Sequence, residues 1–204
     1  MKKRNRTVGA GRKLPDKWVL SVFNRMGNRI SQRRIGKHYA HNKKAWSAHL
    51  QKGDMGRQGY IANQSLLWDM KYGFGTMDKN GCGIIAVYNA MQALKEPGST
   101  HAHSMELPEL IAYFEGCGGA ALGGILGTTP KTIKAYFEKN GYEVTNGFSQ
   151  NRKACISLYY NKENRLLSGL HYVCAVEGTA EMRYSCEING CSDGKKPVWV
   201  LGIR

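Results

Sequence analysis

The most informative stretch of the sequence is residues 80–94, NGCGIIAVYNAMQAL. Its apolar residues recur at steps of three and four, which is the pattern of a helix with one buried face. Cys82 falls in the first turn, where unpaired backbone N–H groups and the helix dipole stabilise a thiolate. Gly81 and Gly83 let a substrate backbone approach the sulfur, and they leave the Cys82 N–H able to face an oxyanion. The stretch predicts a core helix that begins with a candidate nucleophile; the alternative for Cys82 is a small buried hydrophobe.

Downstream of this helix the hydrophobic period changes from helical to extended. Leu107–Phe114 predicts a second helix, and a third has Thr129 as its N-cap, begins at Pro130 and stops at Gly141. Beyond it, β-rich segments alternate with turns of Asn, Gly, Ser and Lys. Helices followed by a run of antiparallel strands predict an α+β domain. The predicted strands span Ala154–Tyr160, Leu170–Glu177, Met182–Ile188 and Pro197–Ile203.

His171 is the second residue of a predicted strand. An imidazole at the end of a strand can lean toward a helix N-terminus and serve a thiol as base and then as acid. The alternative is a strand-edge histidine without a catalytic role. A third group would accept the imidazole N–H and fix its tautomer, and Asn189 is the candidate, with Asp193 as its competitor. Either of these could be a plain turn residue, since the Asn-Gly pair at 189 is itself a hairpin signal.

Taken in this order, the motifs resemble one known family. The Cys-Gly that opens a helix is followed by GTTPKTIKAYFEKNGY at 127–142, by GLHYV at 169–173 and by a strand that ends in Asn. The order is similar to that of the compact papain-like cysteine peptidases of bacteria, including the bacteriocin-leader-processing peptidases, over residues 60–204. The resemblance implies a papain-like α+β fold in which a helical part carries the nucleophile helix, packed on an antiparallel β-sheet.

The resemblance also implies roles for particular residues. Cys82 would be the nucleophile, His171 the general base and acid, and Asn189 the orienting group, in the cleavage of peptide or isopeptide bonds of a peptide or protein substrate. A related thiol amidase or acyltransferase would use the same groups. The family usually places a Gln shortly before the cysteine as second oxyanion donor, and this chain has none there. Asn80, Thr76 or a backbone amide would have to substitute, and losing one such donor typically costs about 10² to 10³ in turnover.

The positive charge is concentrated at the N-terminus. Residues 1–53 carry 15 Lys and Arg against one acid, whereas the whole chain has a net charge of +15. This predicts a basic N-terminal extension over residues 1–55, followed by the peptidase domain over 56–204. The extension could bind a polyanion, either nucleic acid or an anionic membrane surface, and the alternative function is a catalytically inactive papain-like scaffold that binds in this way. The expected basic patch consists of Arg25, Arg29, Arg33, Arg34 and Lys37.

No metal or cofactor is expected. Cys186 and Cys191 lack the paired spacing of a zinc site, and the six cysteines are scattered in a manner typical of reduced thiols. The N-terminal charges are not followed by an apolar stretch, so no export signal is predicted. The apolar runs are too short to cross a bilayer, and the chain is therefore expected to be cytoplasmic, without a transmembrane segment.

Overall fold

A five-stranded antiparallel sheet forms one layer of the molecule. The computed structural model describes residues 26, 27, 29, 33–53, 59–95, 105–147, 152–160, 170–176, 183–184 and 196–204. The strands of this sheet are β3 (Val144–Asn146), β4 (Ala154–Tyr160), β5 (Leu170–Val176), β6 (Arg183–Tyr184) and β7 (Trp199–Ile203). Their order is β3-β7-β4-β5-β6, with β4 at the centre, paired with β5 on one side and with β7 on the other.

Helices and a short hairpin cover one face of this sheet. In chain order they are α1 (Ile35–Lys52), the hairpin strands β1 (Lys71–Tyr72) and β2 (Gly75–Thr76), α2 (Met77–Asn80), α3 (Cys82–Leu94), α4 (Leu107–Gly116) and α5 (Pro130–Lys139). Helix α3 packs across β5 and β4. Every residue from Cys82 to Met91 is buried, so α3 is the central helix and is enclosed on all sides.

The predicted α+β order is confirmed, and several elements lie where the sequence places them. Helix α5 begins at Pro130, and the Thr129 hydroxyl accepts a hydrogen bond from the Thr132 N–H at 3.3 Å. Strand β4 has the predicted limits, and β5 is described from Leu170 to Val176, with Glu177 outside the described residues. Of the predicted strand Met182–Ile188, only β6 is described. The β1–β2 hairpin and β3 were not predicted, because two- and three-residue strands leave no periodic signal.

Helix α1 belongs to the folded domain, which differs from the expected boundary near residue 55. Asn42, Trp46 and His49 form its buried face, and the Trp46 ring meets Tyr88 of α3 edge to face at 5.7 Å between centroids. The Asn42 side chain donates to the Lys71 carbonyl at 2.8 Å and accepts from the Lys71 N–H at 2.7 Å. Two of the three buried residues are polar, so the buried face of α1 does not appear in the sequence as a helical repeat of apolar residues.

Among the described residues, no helix combines the length and the apolar character that a membrane span requires.

Candidate active site

Cys82 is the first residue of α3, and it follows α2 after a single glycine. The Gly81 N–H donates to the Met77 carbonyl at 2.9 Å, and the Gly81 carbonyl accepts from the Ile85 N–H at 2.9 Å. A Cβ at position 81 would lie 2.5 Å from the Met77 carbonyl oxygen, so only glycine fits this junction. Cys82 is 7% exposed. The sequence therefore places the thiol at a helix start, as predicted, but just beneath the surface.

The first turn of α3 lies against the beginning of β5. A Cβ on Gly83 would be 3.2 Å from Cδ2 of Tyr172 and 2.8 Å from Cβ of Thr128. Glycine at position 83 therefore allows this close approach between helix and strand. Gly83 and Tyr172 are the immediate chain neighbours of Cys82 and His171, so both predicted catalytic residues flank the same contact.

Thr128 connects two tyrosines beneath the thiol. The hydroxyls of Tyr72 and Thr128 are hydrogen-bonded at 2.8 Å, and the Tyr172 hydroxyl donates to the Thr128 carbonyl at 2.8 Å. Burial raises the pKa of both phenols far above the ordinary value, and the negative charge of a Cys82 thiolate would raise each further. Both phenols therefore remain protonated, and each is hydrogen-bonded to Thr128. We call Cys82, Gly83, Tyr72, Tyr172 and Thr128 the thiol pocket.

His171 lies near the start of β5 and is buried, at 4% exposure. Tyr172 points toward α3, so strand alternation directs Cβ of His171 to the other face, where it pairs with Tyr159. Among the described residues β6 pairs with Cys174 and Ala175 of β5, and residues 185–195 lie outside the described part of the chain.

The third predicted member of the triad lies outside the described residues. Asn189 and its competitor Asp193 both fall in this part, as do Cys186 and Cys191. The arrangement of Cys82, His171 and Asn189 as a triad therefore stays a prediction. Among the described residues, no group of three or more His, Cys, Asp or Glu side chains is placed to hold a metal ion.

The two oxyanion candidates differ in their surroundings. The Thr76 hydroxyl donates to the Asp78 carboxylate, so its only hydrogen is already used. The Asn80 carboxamide lies against Gly75, where a Cβ would come within 2.4 Å of Asn80 Nδ2. Asn80 immediately precedes the Gly81-Cys82 junction, and it is the better placed of the two to donate a side-chain N–H.

Gln64 is a positioning residue that the sequence interpretation missed. Its side chain is buried, and Nε2 donates to the carbonyls of Met77 and Asp78 at 2.9 and 2.8 Å. These bonds fix α2, the helix that leads into Cys82. A lone glutamine in a polar stretch carries no sequence signal for a contact with a segment 13 residues away. Both amide hydrogens are used, so Gln64 supports the junction and does not itself donate to an oxyanion.

The basic patch is exposed wherever the structure describes it. Arg29, Arg33, Arg34 and Lys37 are exposed, and Arg25 lies outside the described residues. Arg34 and Lys37 also line an open cavity of about 630 Å³ between α1 and the β1–β2 hairpin. We call this cavity the basic groove, after its cationic and histidine side chains, Arg34, Lys37, His38, His41, Lys71 and Lys79.

Comparison of the chain with protein-family models, with curated proteins and with solved structures gives no match. The chain's own residues are therefore the basis for a function, above all those at the contact between the first turn of α3 and the beginning of β5.

Proposed function

We propose that the chain is a papain-like thiol hydrolase that cleaves peptide or isopeptide bonds with Cys82 as nucleophile and His171 as general base and acid. The observation that supports this most strongly is the Gly83–Tyr172 contact, because it joins the chain neighbours of both residues. A cysteine at the first position of a buried helix also lies at the positive end of the helix dipole, which stabilises a thiolate. In a packed interior this interaction offsets part of the loss of hydration that a buried thiolate suffers.

The reaction would be acyl transfer to sulfur. The Cys82 thiolate attacks the carbonyl carbon, and the oxyanion is held by the Cys82 N–H together with the Asn80 carboxamide. The C–N bond breaks as the His171 imidazolium gives its proton to the leaving amine. His171 then takes a proton from water, which attacks the thioester and releases the acid and the free thiol.

The geometry makes one specific demand on His171. Its ring has to turn from the far face of β5 toward the α3 side, and Asn189 would then hold the ring in that position. Tyr72 and Tyr172 favour the reaction because, as neutral phenols bonded to Thr128, they place no negative charge near the sulfur. The same machinery serves amidase or acyltransferase chemistry, and we propose peptide hydrolysis as the first of these.

Selective alkylation tests the proposal on the intact chain. Iodoacetamide is applied near neutral pH, and the labelling rate of each cysteine is followed by mass spectrometry. Cys117 is the internal reference, because it is exposed while desolvation raises the pKa of its thiol. We expect Cys82 to react faster than Cys117 although it is buried, because reactivity follows the thiolate fraction.

The histidine variants decide whether His171 takes part. In His171→Ala the fast labelling of Cys82 should disappear, whereas the matched variant His41→Ala on the surface of α1 should retain it. If Cys82 reacts more slowly than Cys117 in the wild type, the thiol is not activated and the inactive-scaffold alternative is favoured. Hydrolysis of a peptide library, with Cys82→Ala as the blank, then identifies the substrate.

A further inference from the structure

The basic groove is built from two segments that are held together by hydrogen bonds. Asn42 of α1 makes two bonds to the backbone of Lys71. His41 Nε2 is bonded to the Asp69 carbonyl at 2.7 Å. Beneath the groove, Glu115 Oε1 accepts from His38 Nδ1 at 2.8 Å and from the Gly73 N–H at 2.6 Å. The two segments that form the groove are therefore held in place before a ligand binds.

The groove concentrates positive charge that nothing in the described part of the chain neutralises. Arg34, Lys37, Lys71 and Lys79 line it, and none of them takes part in an ion pair within the described residues. The carboxylates nearby have other partners: Glu115 is bonded to His38, Asp78 to Thr76, and Asp69 to His49. Four cations in a cavity without a carboxylate in its lining attract a ligand with several phosphates.

Phe74 adds an aromatic surface to this cavity. It stands at the tip of the β1–β2 hairpin, lines the groove and is 40% exposed. Its N–H donates to the Gly123 carbonyl at 2.8 Å, which fixes the hairpin tip. The guanidinium carbon of Arg34 lies 5.4 Å from the ring centroid. A planar ring and a guanidinium are thus presented together, which is the combination on which unpaired bases stack.

We propose that the basic groove binds single-stranded nucleic acid, with phosphates at Lys71 and Lys79 and a base stacked on Phe74. A volume of about 630 Å³ lies in the range of pockets that hold one small ligand, which is the size of a single nucleotide of a strand. Arg29, Arg33 and Arg34 are exposed cations that precede α1 in the chain, and they favour a polymer over a free nucleotide. This proposal is independent of the thiol chemistry and requires neither Cys82 nor His171.

Fluorescence anisotropy with labelled oligo(dT) and the full chain tests the proposal. We expect affinity to fall linearly with the logarithm of salt concentration. The double variant Lys71→Gln/Lys79→Gln should reduce the magnitude of that slope by about 1.4, because each single-strand phosphate contact contributes about 0.7. The matched control is Lys95→Gln/Lys196→Gln, which removes the same charge from exposed positions outside the groove. Equal losses in both double variants would mean that only net charge matters, and would overturn the groove as the site.

Variants of Phe74 test the stacking. Phe74→Leu keeps an apolar side chain but removes the aromatic face, so oligo(dT) should bind about 5- to 100-fold more weakly with an unchanged salt slope. Phe74→Tyr should restore the affinity, which excludes a general folding defect. Heparin has charges but no bases, so its binding should be the same in the wild type and in Phe74→Leu. Equal affinity for oligo(dT) and for a duplex, or an unchanged affinity in Phe74→Leu, would contradict recognition of a single strand.

Discussion

The thiol pocket and the basic groove share the chain segment from Lys71 to Cys82, yet their interiors have opposite character. Lys71 and Phe74 line the groove, whereas Tyr72, between them in the chain, is fully buried and reaches Thr128 in the thiol pocket. The pocket is closely packed and contains neutral donors. The groove is open and its four cations have no carboxylate in the lining. One hairpin therefore borders a closely packed, neutral pocket on one side and an open, cationic groove on the other.

Glu115 joins His38 of α1 to Gly73 of the β1–β2 hairpin, between the thiol pocket and the basic groove. Its removal should have the largest effect on the stability of the fold. Glu115→Ala leaves the buried Gly73 N–H without an acceptor and opens a cavity, so we expect a loss of about 3–5 kcal/mol in the free energy of unfolding. Asp69→Ala is the matched control, because Asp69 also bonds a histidine of α1 at 2.8 Å but its side chain is 30% exposed. That variant should lose less than about 1 kcal/mol.

Urea unfolding measures both Glu115→Ala and Asp69→Ala. Losses of similar size in the two variants would show that the Glu115 bonds to His38 and Gly73 do not stabilise the region between the thiol pocket and the basic groove.

Gly83→Ala should affect the thiol pocket and spare the groove. The added methyl would lie 2.8 Å from Cβ of Thr128 and 3.2 Å from Cδ2 of Tyr172, so the first turn of α3 must move away from Thr128 and β5. We expect a loss of about 1–3 kcal/mol from overpacking, together with slower alkylation of Cys82. Binding of oligo(dT) should be unchanged, since Gly83 does not line the groove.

Gly36→Ala is the control for Gly83→Ala, because no atom lies within 4 Å of a Cβ at position 36. In helix α1 this substitution should stabilise the fold by up to about 1 kcal/mol. Thermal unfolding should therefore show a lower stability for Gly83→Ala and a higher stability for Gly36→Ala, although both variants add one methyl group. If Gly83→Ala is neutral, the close contact between α3 and β5 is not required.

Much of the fold could be predicted because its signals are local. Thr129-Pro130 marks the start of α5, and the apolar stretch after Cys82 marks α3 without reference to the rest of the chain. The contacts that form the two sites are not local: Tyr72 meets Thr128 across 56 residues, and Asn42 meets Lys71 across 29. The hydrophobic period of a single sequence does not indicate which distant residues contact each other.

The basic N-terminal stretch is a second case in which the sequence predicts a property but not the contacts that form the site. Its charge indicates a polyanion partner, but the groove also needs Lys71, Lys79 and Phe74, which lie outside the basic N-terminal stretch in sequence. Only folding brings them next to α1. The role of His171 was predicted from its place at a strand end, whereas the direction of its ring depends on the pleat of β5, which is set by pairing with β4.

Thr128→Val should have a moderate effect that is confined to the thiol pocket. Valine fills the same space but leaves the buried Tyr72 hydroxyl without its partner, at a cost of about 1–2 kcal/mol in the free energy of unfolding. In a Tyr72→Phe background the same substitution should cost less, because no hydroxyl is left unpaired. Urea unfolding of the two single variants and the double variant measures this coupling. Strictly additive losses would show that the bond between Tyr72 and Thr128 does not stabilise the pocket.

The smallest expected effect is a pH dependence that arises from Glu115. Burial raises the pKa of this carboxyl above its ordinary value of 4.5, against the opposing effect of the bonds from His38 and Gly73. Between 4.5 and the raised pKa, the folded chain keeps a proton that the unfolded chain has lost. Stability from this group therefore falls as pH rises through that window, by at most about 1.4 kcal/mol per pH unit.

Glu115→Gln cannot titrate, so it isolates this contribution. The free energy of unfolding of the wild type minus that of Glu115→Gln should decrease from about pH 4 upward and level off above the folded pKa, since all other titrating groups are common to both proteins. Urea unfolding at a series of pH values measures the difference. A difference that increases with pH would mean that the protonated His38 stabilises the carboxylate more than burial destabilises it. The contact between His38 and Glu115 beneath the groove would then be an ion pair. The positive charge of His38 would add to the charge that attracts a phosphate chain to the groove.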